Sequence, residues 1–204
     1  MKKLFLICLI AFAVKSKAQS KEALFDKICK QIITYLAQGQ INSINKYTRP
    51  DIGVYYIVRP GAMDAIRWEK KIDTNSFPHQ SEAYIAINVN KTYADDDLLK
   101  QMRHTIFTQK NKFATFNCES EKWSEEGIFT DIKKKTNRLT QVINIRKLYD
   151  AEYKKFAKQK EVKKIEATAR KIIITKYNIA IYLFYDNNKW WIGIIDVTES
   201  DCSA

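Results

Sequence analysis

Residues 171–197 read KIIITKYNIAIYLFYDNNKWWIGIIDV. Two runs rich in Ile, Tyr, Phe and Trp flank Asp186-Asn187-Asn188. β-Branched and aromatic side chains suit a pleated, half-buried surface. Asparagine tolerates positive φ, so Asn187-Asn188 suits a two-residue turn and the stretch predicts a β-hairpin. Trp190 and Trp191 are adjacent and must point to opposite faces of the second strand. One joins the core; the other covers a second layer, lines a pocket or is exposed.

Working outward, residues 21–38 carry Leu24, Phe25, Ile28, Ile32, Tyr35 and Leu36 at helical spacing, ahead of Gly39. That recurrence predicts an amphipathic helix, and a short helix over 42–47 follows, stopped before Pro50. GVYYIVR (53–59), bounded by Pro50 and Pro60-Gly61, reads as a strand. Residues 63–71 are ambiguous, and 82–89 alternate like a strand. Asp95-Asp96-Asp97 opens a helix reaching Phe107. Short β-like pieces are expected at 113–116 and 128–132. A long amphipathic helix is expected from about Leu139, with Val142, Ile145, Tyr149, Tyr153 and Phe156 on its apolar face, running either unbroken or with a break to near Ala167.

The N-terminus reads as an export leader. Lys2 and Lys3 precede an apolar stretch from Leu4 to Val14, too short to span a bilayer, and Ser16-Lys17-Ala18 offers a cleavage site. Residues 1–18 are thus expected to be a signal peptide and 19–204 a single α+β domain, periplasmic or extracellular, with no transmembrane segment. Removing the leader takes away four lysines and lowers the formal charge from +12 to +8. It also removes Cys8, leaving Cys29, Cys118 and Cys202. In an oxidising compartment at most one internal bridge then forms, and one thiol is left over. Cys29 lies in the apolar stripe of the first helix, so a Cys118–Cys202 bridge pinning the C-terminal residues is preferred.

Most recognisable chemistries are missing from the sequence. With five glycines in the chain there is no phosphate-cradling loop or dinucleotide fingerprint, and no C-x-x-C, H-E-x-x-H or G-x-S-x-G motif occurs. No cofactor and no metal are expected. A Cys118/His104 nucleophilic pair lacks the residues that surround catalytic cysteines. Asp95–Asp97 reads better as helix capping than as a cation site, because the spaced ligands of a calcium loop are absent. The basic run Lys133–Lys135 and the lysines of 154–171 could meet phosphates, but the latter are mixed with Glu152, Glu161 and Glu166 as on a solvated helix face. Nucleic acid is not expected as a partner of an exported protein. Aromatics are the remaining lead. Tyr56, Trp68, Trp190 and Trp191, with Arg59 as a polar anchor and Asp196 nearby, are the candidate ligand-binding residues.

An N-terminal amphipathic helix, then strands, then the final hairpin with Tyr182–Tyr185, Lys189-Trp190-Trp191 and Ile195-Asp196 resembles the NTF2-like, or cystatin-like, α+β domains. The ending Asp201-Cys202-Ser203-Ala204 resembles that of small secreted Gram-negative bacterial proteins with no assigned activity. The resemblance implies a curved, mostly antiparallel sheet wrapped around helices into a cone, which in some members holds a small ligand and in a few catalyses a reaction. The long late helix departs from that pattern, and no catalytic set of the superfamily maps onto this chain. Three functions follow as expectations. The first is an exported non-enzymatic module binding a small ligand or an envelope protein through a concave aromatic surface. The others are a hydrolase or isomerase without a recognisable motif, using Asp196 or His104, and a cell-envelope interaction protein with a basic face.

Overall fold

The structure, a computed structural model, describes residues 20–72, 114–130, 136–154 and 158–202. The expected leader, the strand at 82–89, the helix opening at Asp95–Asp97, Phe113, Lys133–Lys135, Phe156, His79 and His104 lie outside the described residues.

Helix α1 (Lys21–Ala37) starts where Ser20 accepts a hydrogen bond from the Ala23 N–H at 3.1 Å, with Glu22 in the first turn. Its buried stripe of Phe25, Ile28, Cys29, Ile32, Ile33 and Leu36 follows the expected spacing. A four-residue helix, α2 (Ile41–Ile44), and a 3₁₀ turn (Asn45–Tyr47) lead into β1 (Val54–Val58). The ambiguous stretch contains β2 (Ala65–Glu69), antiparallel to β1. Gly53 enters β1 at φ +76°, and a side chain there would meet the Glu69 carbonyl and the Trp68 indole, each at 2.5 Å. Glycine is therefore needed both for the backbone and for the space.

Strands β3 (Phe116–Asn117) and β4 (Lys122–Trp123) form a separate small hairpin, and β5 (Ile128–Thr130) follows. The expected long helix is broken into α3 (Arg138–Tyr149), α4 (Ala151–Lys154) and α5 (Gln159–Thr168). Asp150 explains the first break. Its backbone is extended (φ −132°, ψ 117°), and its carboxylate accepts from the Glu152 N–H at 2.9 Å, starting a new helix instead of continuing the old one. The buried stripe of α3 is Leu139, Val142 and Ile143, whereas Ile145 and Tyr149 of the expected apolar face are exposed.

The stretch 170–197 forms three strands. Between β6 (Arg170–Ile174) and β7 (Ile179–Asp186) the chain makes a 3₁₀ turn (Thr175–Tyr177) and reverses at Asn178 (φ 51°). The expected hairpin then joins β7 to β8 (Lys189–Asp196) through Asn187 (φ 50°) and Asn188 (φ 60°). The six main strands run in the order β2-β1-β8-β7-β6-β5, antiparallel except for the parallel pair β1 and β8. The domain is thus α+β, with a mixed sheet.

Both faces of this sheet are covered. On one, Val54, Tyr56, Ile181, Leu183, Trp190 and Ile192 pack with α1. On the other, Tyr55, Ile57, Ile173, Phe184 and Ile194 pack with Leu139 and Val142 of α3 and Val162 and Ile165 of α5. A β-bulge keeps β8 in phase with both layers. Tyr182 pairs with Ile194 but Leu183 pairs with Ile192, leaving Gly193 as the extra residue. A Cβ on Gly193 would lie 2.8 Å from Ile165 and 2.9 Å from Phe184, so its lack of a side chain lets α5 sit close. The outer edge of β2 is closed by a tyrosine. The Tyr153 hydroxyl accepts from the Ile66 N–H at 2.7 Å and donates to the Ile66 carbonyl at 3.2 Å, occupying groups an edge strand would offer to another chain.

Candidate functional site

The parallel pairing of β1 with β8 sets Ile57 opposite Asp196, so the chain just beyond β1 and the last residue of β8 meet at one end of the sheet. Arg59 and Asp196 are the two charged candidates, and both lie there. Two further groups complete the site: Asp64, just before β2, and Arg138, the first residue of α3.

Asp196 has no solvent exposure. Its Oδ2 accepts from Arg138 Nε at 2.8 Å, and its Oδ1 accepts from the Thr198 N–H at 2.9 Å and the Thr198 hydroxyl at 2.7 Å. Arg138 Nη2 donates onward to Asp64 Oδ2 and to Thr198 Oγ1, each at 2.6 Å. Asp64 Oδ1 accepts from Arg59 Nε at 2.7 Å, and Arg59 Nη1 donates to the Asp201 carbonyl at 2.7 Å. Arg146, two turns along α3, donates from Nε to the Asp64 carbonyl at 2.6 Å. Beside this network the Tyr182 hydroxyl and the Lys171 ammonium share Glu199, at 3.1 and 2.5 Å.

The two central carboxylates are driven in opposite directions. Burial raises the pKa of Asp196, and Arg138 only partly offsets it. Burial also acts upward on Asp64, but hydrogen bonds from Arg59 and Arg138 outweigh it and hold the carboxyl below its usual range. Tyr182 is raised by burial and by the neighbouring Asp196 and Glu199. Buried charges are retained where they are paired and hydrogen-bonded, as Asp64 and Arg138 are. Among the described residues no group of three or more His, Cys, Asp and Glu side chains is arranged to hold a metal, and no helix is long and apolar enough to cross a membrane.

The aromatic candidates are distributed elsewhere. Tyr56 and Trp190 are each 1% exposed and belong to the core beneath α1. There the Trp190 ring meets Phe25 edge-on at 4.9 Å, and its indole N–H donates to the Lys21 carbonyl at 3.1 Å. Trp191 packs on the opposite face and donates to the Asp186 carbonyl at 3.1 Å. Trp68, on edge strand β2, donates to the Ile52 carbonyl at 2.7 Å and carries the Lys158 ammonium 2.9 Å above its ring. The described residues therefore bring Arg59 and Asp196 together but do not gather the four aromatics on one surface. A void of about 10 Å³ between α1 and the sheet is lined by apolar side chains including Leu36, Ile44, Ile179 and Ile192, room for about one water molecule.

A different surface is apolar. Ile145, Leu148 and Tyr149, at i, i+3 and i+4 on α3, are 51%, 75% and 71% exposed. Leu148 carried no signal, because the expected helix face ran through Ile145 and Tyr149 toward the core. Arg138 and Asp64 were equally illegible: they lie 74 residues apart and meet only through the fold.

Cys118 and Cys202 form a disulfide with Cα atoms 5.6 Å apart, joining the β3–β4 hairpin to the residues after β8. Cys29 is a free, buried thiol whose pKa burial pushes well up. Compared with family models, curated proteins and solved structures, the chain matches none of them.

Proposed function

We propose that the protein is an exported binding module that engages a protein partner through the outer ridge of α3. The observation that carries this reading is the contiguous exposure of Ile145, Leu148 and Tyr149 on a helix whose other side is packed. Large apolar side chains grouped on a surface mark an interaction site more often than singly scattered ones do. Lys147 lies within the ridge, Lys154 and Lys158 follow it in the chain, and the formal charge without residues 1–18 is +8. The matching partner surface is apolar at its centre and acidic at its rim. The export reading rests on residues 2–18, and kinship with NTF2-like domains, with a sheet curved around helices, on the order helix, strands, helices and final hairpin.

Photocrosslinking tests this. Benzoylphenylalanine is placed at position 148, and as a control at Lys27, exposed on α1 across the sheet, in the cells that produce the chain. The reading expects a discrete protein adduct at 148 alone, weakened by added salt and by Ile145→Asp, and direct binding once the captured protein is purified. Equal adducts at both positions, or none at 148, overturn it.

A further inference from the structure

The residues after β8 form a strap. Val197 N–H donates to the Ile57 carbonyl at 3.1 Å, Thr198 sits on Asp196 and Arg138, the Asp201 carbonyl accepts from Arg59, and Cys202 is bonded to Cys118. From this strap an unbroken series of hydrogen bonds reaches α3. Arg59 holds the Asp64 carboxylate at 2.7 Å, and Asp64 holds Arg138 through its carboxylate and Arg146 through its carbonyl, both at 2.6 Å. Those two arginines bracket the inner side of the helix that carries Ile145, Leu148 and Tyr149.

Both half-cystines are solvent-exposed. The bond closes a separation of 84 residues between these two surface positions. Exposed disulfides are the ones that exchange readily, whereas buried ones resist reduction.

We propose that Cys118–Cys202 is a thiol-reducible clasp that sets how firmly α3 is held, and so whether its outer ridge is presented in docking geometry. The reductant is a dithiol. One of its thiolates attacks a sulfur of the bond, giving a mixed disulfide and releasing the other cysteine as thiolate, which takes up a proton. The second dithiol sulfur then displaces the remaining cysteine. The dithiol loses two electrons and two protons and becomes a disulfide; Cys118 and Cys202 become two thiols. With the clasp open the strap keeps only its hydrogen bonds, and the anchorage of Arg59, Asp64 and Arg138 loosens with it. The regulatory consequence rests on the docking reading of the ridge; the clasp itself does not.

Amide hydrogen exchange of the oxidised full chain, before and after dithiothreitol at neutral pH, tests it. Alkylation and mass spectrometry verify that two new thiols appear. The expected result is exchange about tenfold faster in residues 138–149 and 197–200, with residues 25–36 of α1 unchanged and protection restored on reoxidation. The Cys118→Ser/Cys202→Ser variant should match the reduced protein without reductant. A bond that dithiothreitol leaves intact in the native state overturns the proposal. So does unchanged protection of α3 after full reduction, or loss of protection spreading through α1, which would make the bond a global staple. Crosslinking at position 148 in the two redox states separates the two readings. Faster exchange in α3 with no adduct in either state upholds the clasp and defeats docking, whereas an adduct equal in both states removes the regulatory role.

Discussion

The Nε of Arg138 donates to Oδ2 of Asp196 at 2.8 Å, across 58 residues of chain, and Asp196 is wholly buried while the Arg138 side chain is about a quarter exposed. Removing one member of such a pair strands the other. Asp196→Ala leaves the Arg138 guanidinium with fewer partners and the Thr198 N–H without its acceptor. It is expected to cost about 3 kcal/mol, read from urea unfolding. Asp196→Asn combined with Arg138→Met should cost clearly less than the sum of the two single changes, by more than about 1 kcal/mol in a double-mutant cycle. Strict additivity would mean that the two side chains do not depend on each other.

The same site gives stability a two-sided dependence on pH. Asp64 is held below the ordinary carboxylate value of about 3.9. Its contribution is present above that value and is lost as pH falls through the lower folded-state pKa. Asp196 is raised, so its contribution is present below about 3.9 and is lost as pH rises through the higher folded-state pKa. Against Asp196→Asn, the unaltered protein should lose relative stability as pH rises above about 4. Against Asp64→Asn, it should lose relative stability as pH drops below about 4. Urea titrations at low salt measure both differences. Parallel curves for either variant would remove that carboxylate from the account.

Glu166 supplies from α5 the cap that Asn137 does not give α3. Its Oε1 accepts from the Thr140 N–H at 2.9 Å and its Oε2 from the Thr140 hydroxyl at 2.5 Å, while Asn137 makes no side-chain cap bond. A carboxylate there satisfies a free N–H and complements the positive end of the helix. Glu166→Ala is expected to cost about 1–2 kcal/mol. It should also speed exchange in the first turn of α3 before the rest of the domain. Uniform exchange along α3 would show that the cap is dispensable.

Gly193 makes a steric prediction about the bulge. A methyl group there would sit 2.8 Å from Ile165 Cγ2, so Gly193→Ala is expected to cost about 1–3 kcal/mol by overpacking. Ile165→Ala alone should also destabilise, but the double variant should fall short of the sum, since the smaller residue 165 makes room for the new methyl. A double variant as poor as the sum would place the strain elsewhere.

Local chemistry made α1, β1 and the final hairpin legible: a helical apolar stripe ahead of Gly39, a β-branched and aromatic run between prolines, and two adjacent asparagines suited to positive φ. The reversal at Asn178 was hidden because Thr175–Tyr177 is as β-prone as the strands on either side of it. A break in the 139–167 helix was within the expectation, but its place was not. Asp is a poor helix former that also caps helices, and only the bond of Asp150 to Glu152 shows it starting a new one. Adjacent tryptophans fixed opposite faces for their two side chains but left open whether the second face was covered. They could not reveal that α1 covers one face and α3 with α5 the other, and so the aromatic platform expected from Tyr56 and Trp190 became core. Of the polar site, Asp196 and Arg59 stood out. Their partners depend on β1 lying parallel to β8, a long-range pairing that no local pattern specifies.

The ridge of α3 separates surface from core on a single helix. Ile145→Lys with Leu148→Lys changes residues that are 51% and 75% exposed, and exposed substitutions seldom move stability by more than about 0.5 kcal/mol. Leu139, fully buried on the inner side of the same helix, should cost about 2–5 kcal/mol when cut to Ala. The lysine pair should therefore leave the urea midpoint in place while abolishing the adduct formed at a neighbouring probe such as position 149. A loss of stability approaching that of Leu139→Ala would show that the ridge is packed within the domain, and the docking surface would have to be sought elsewhere.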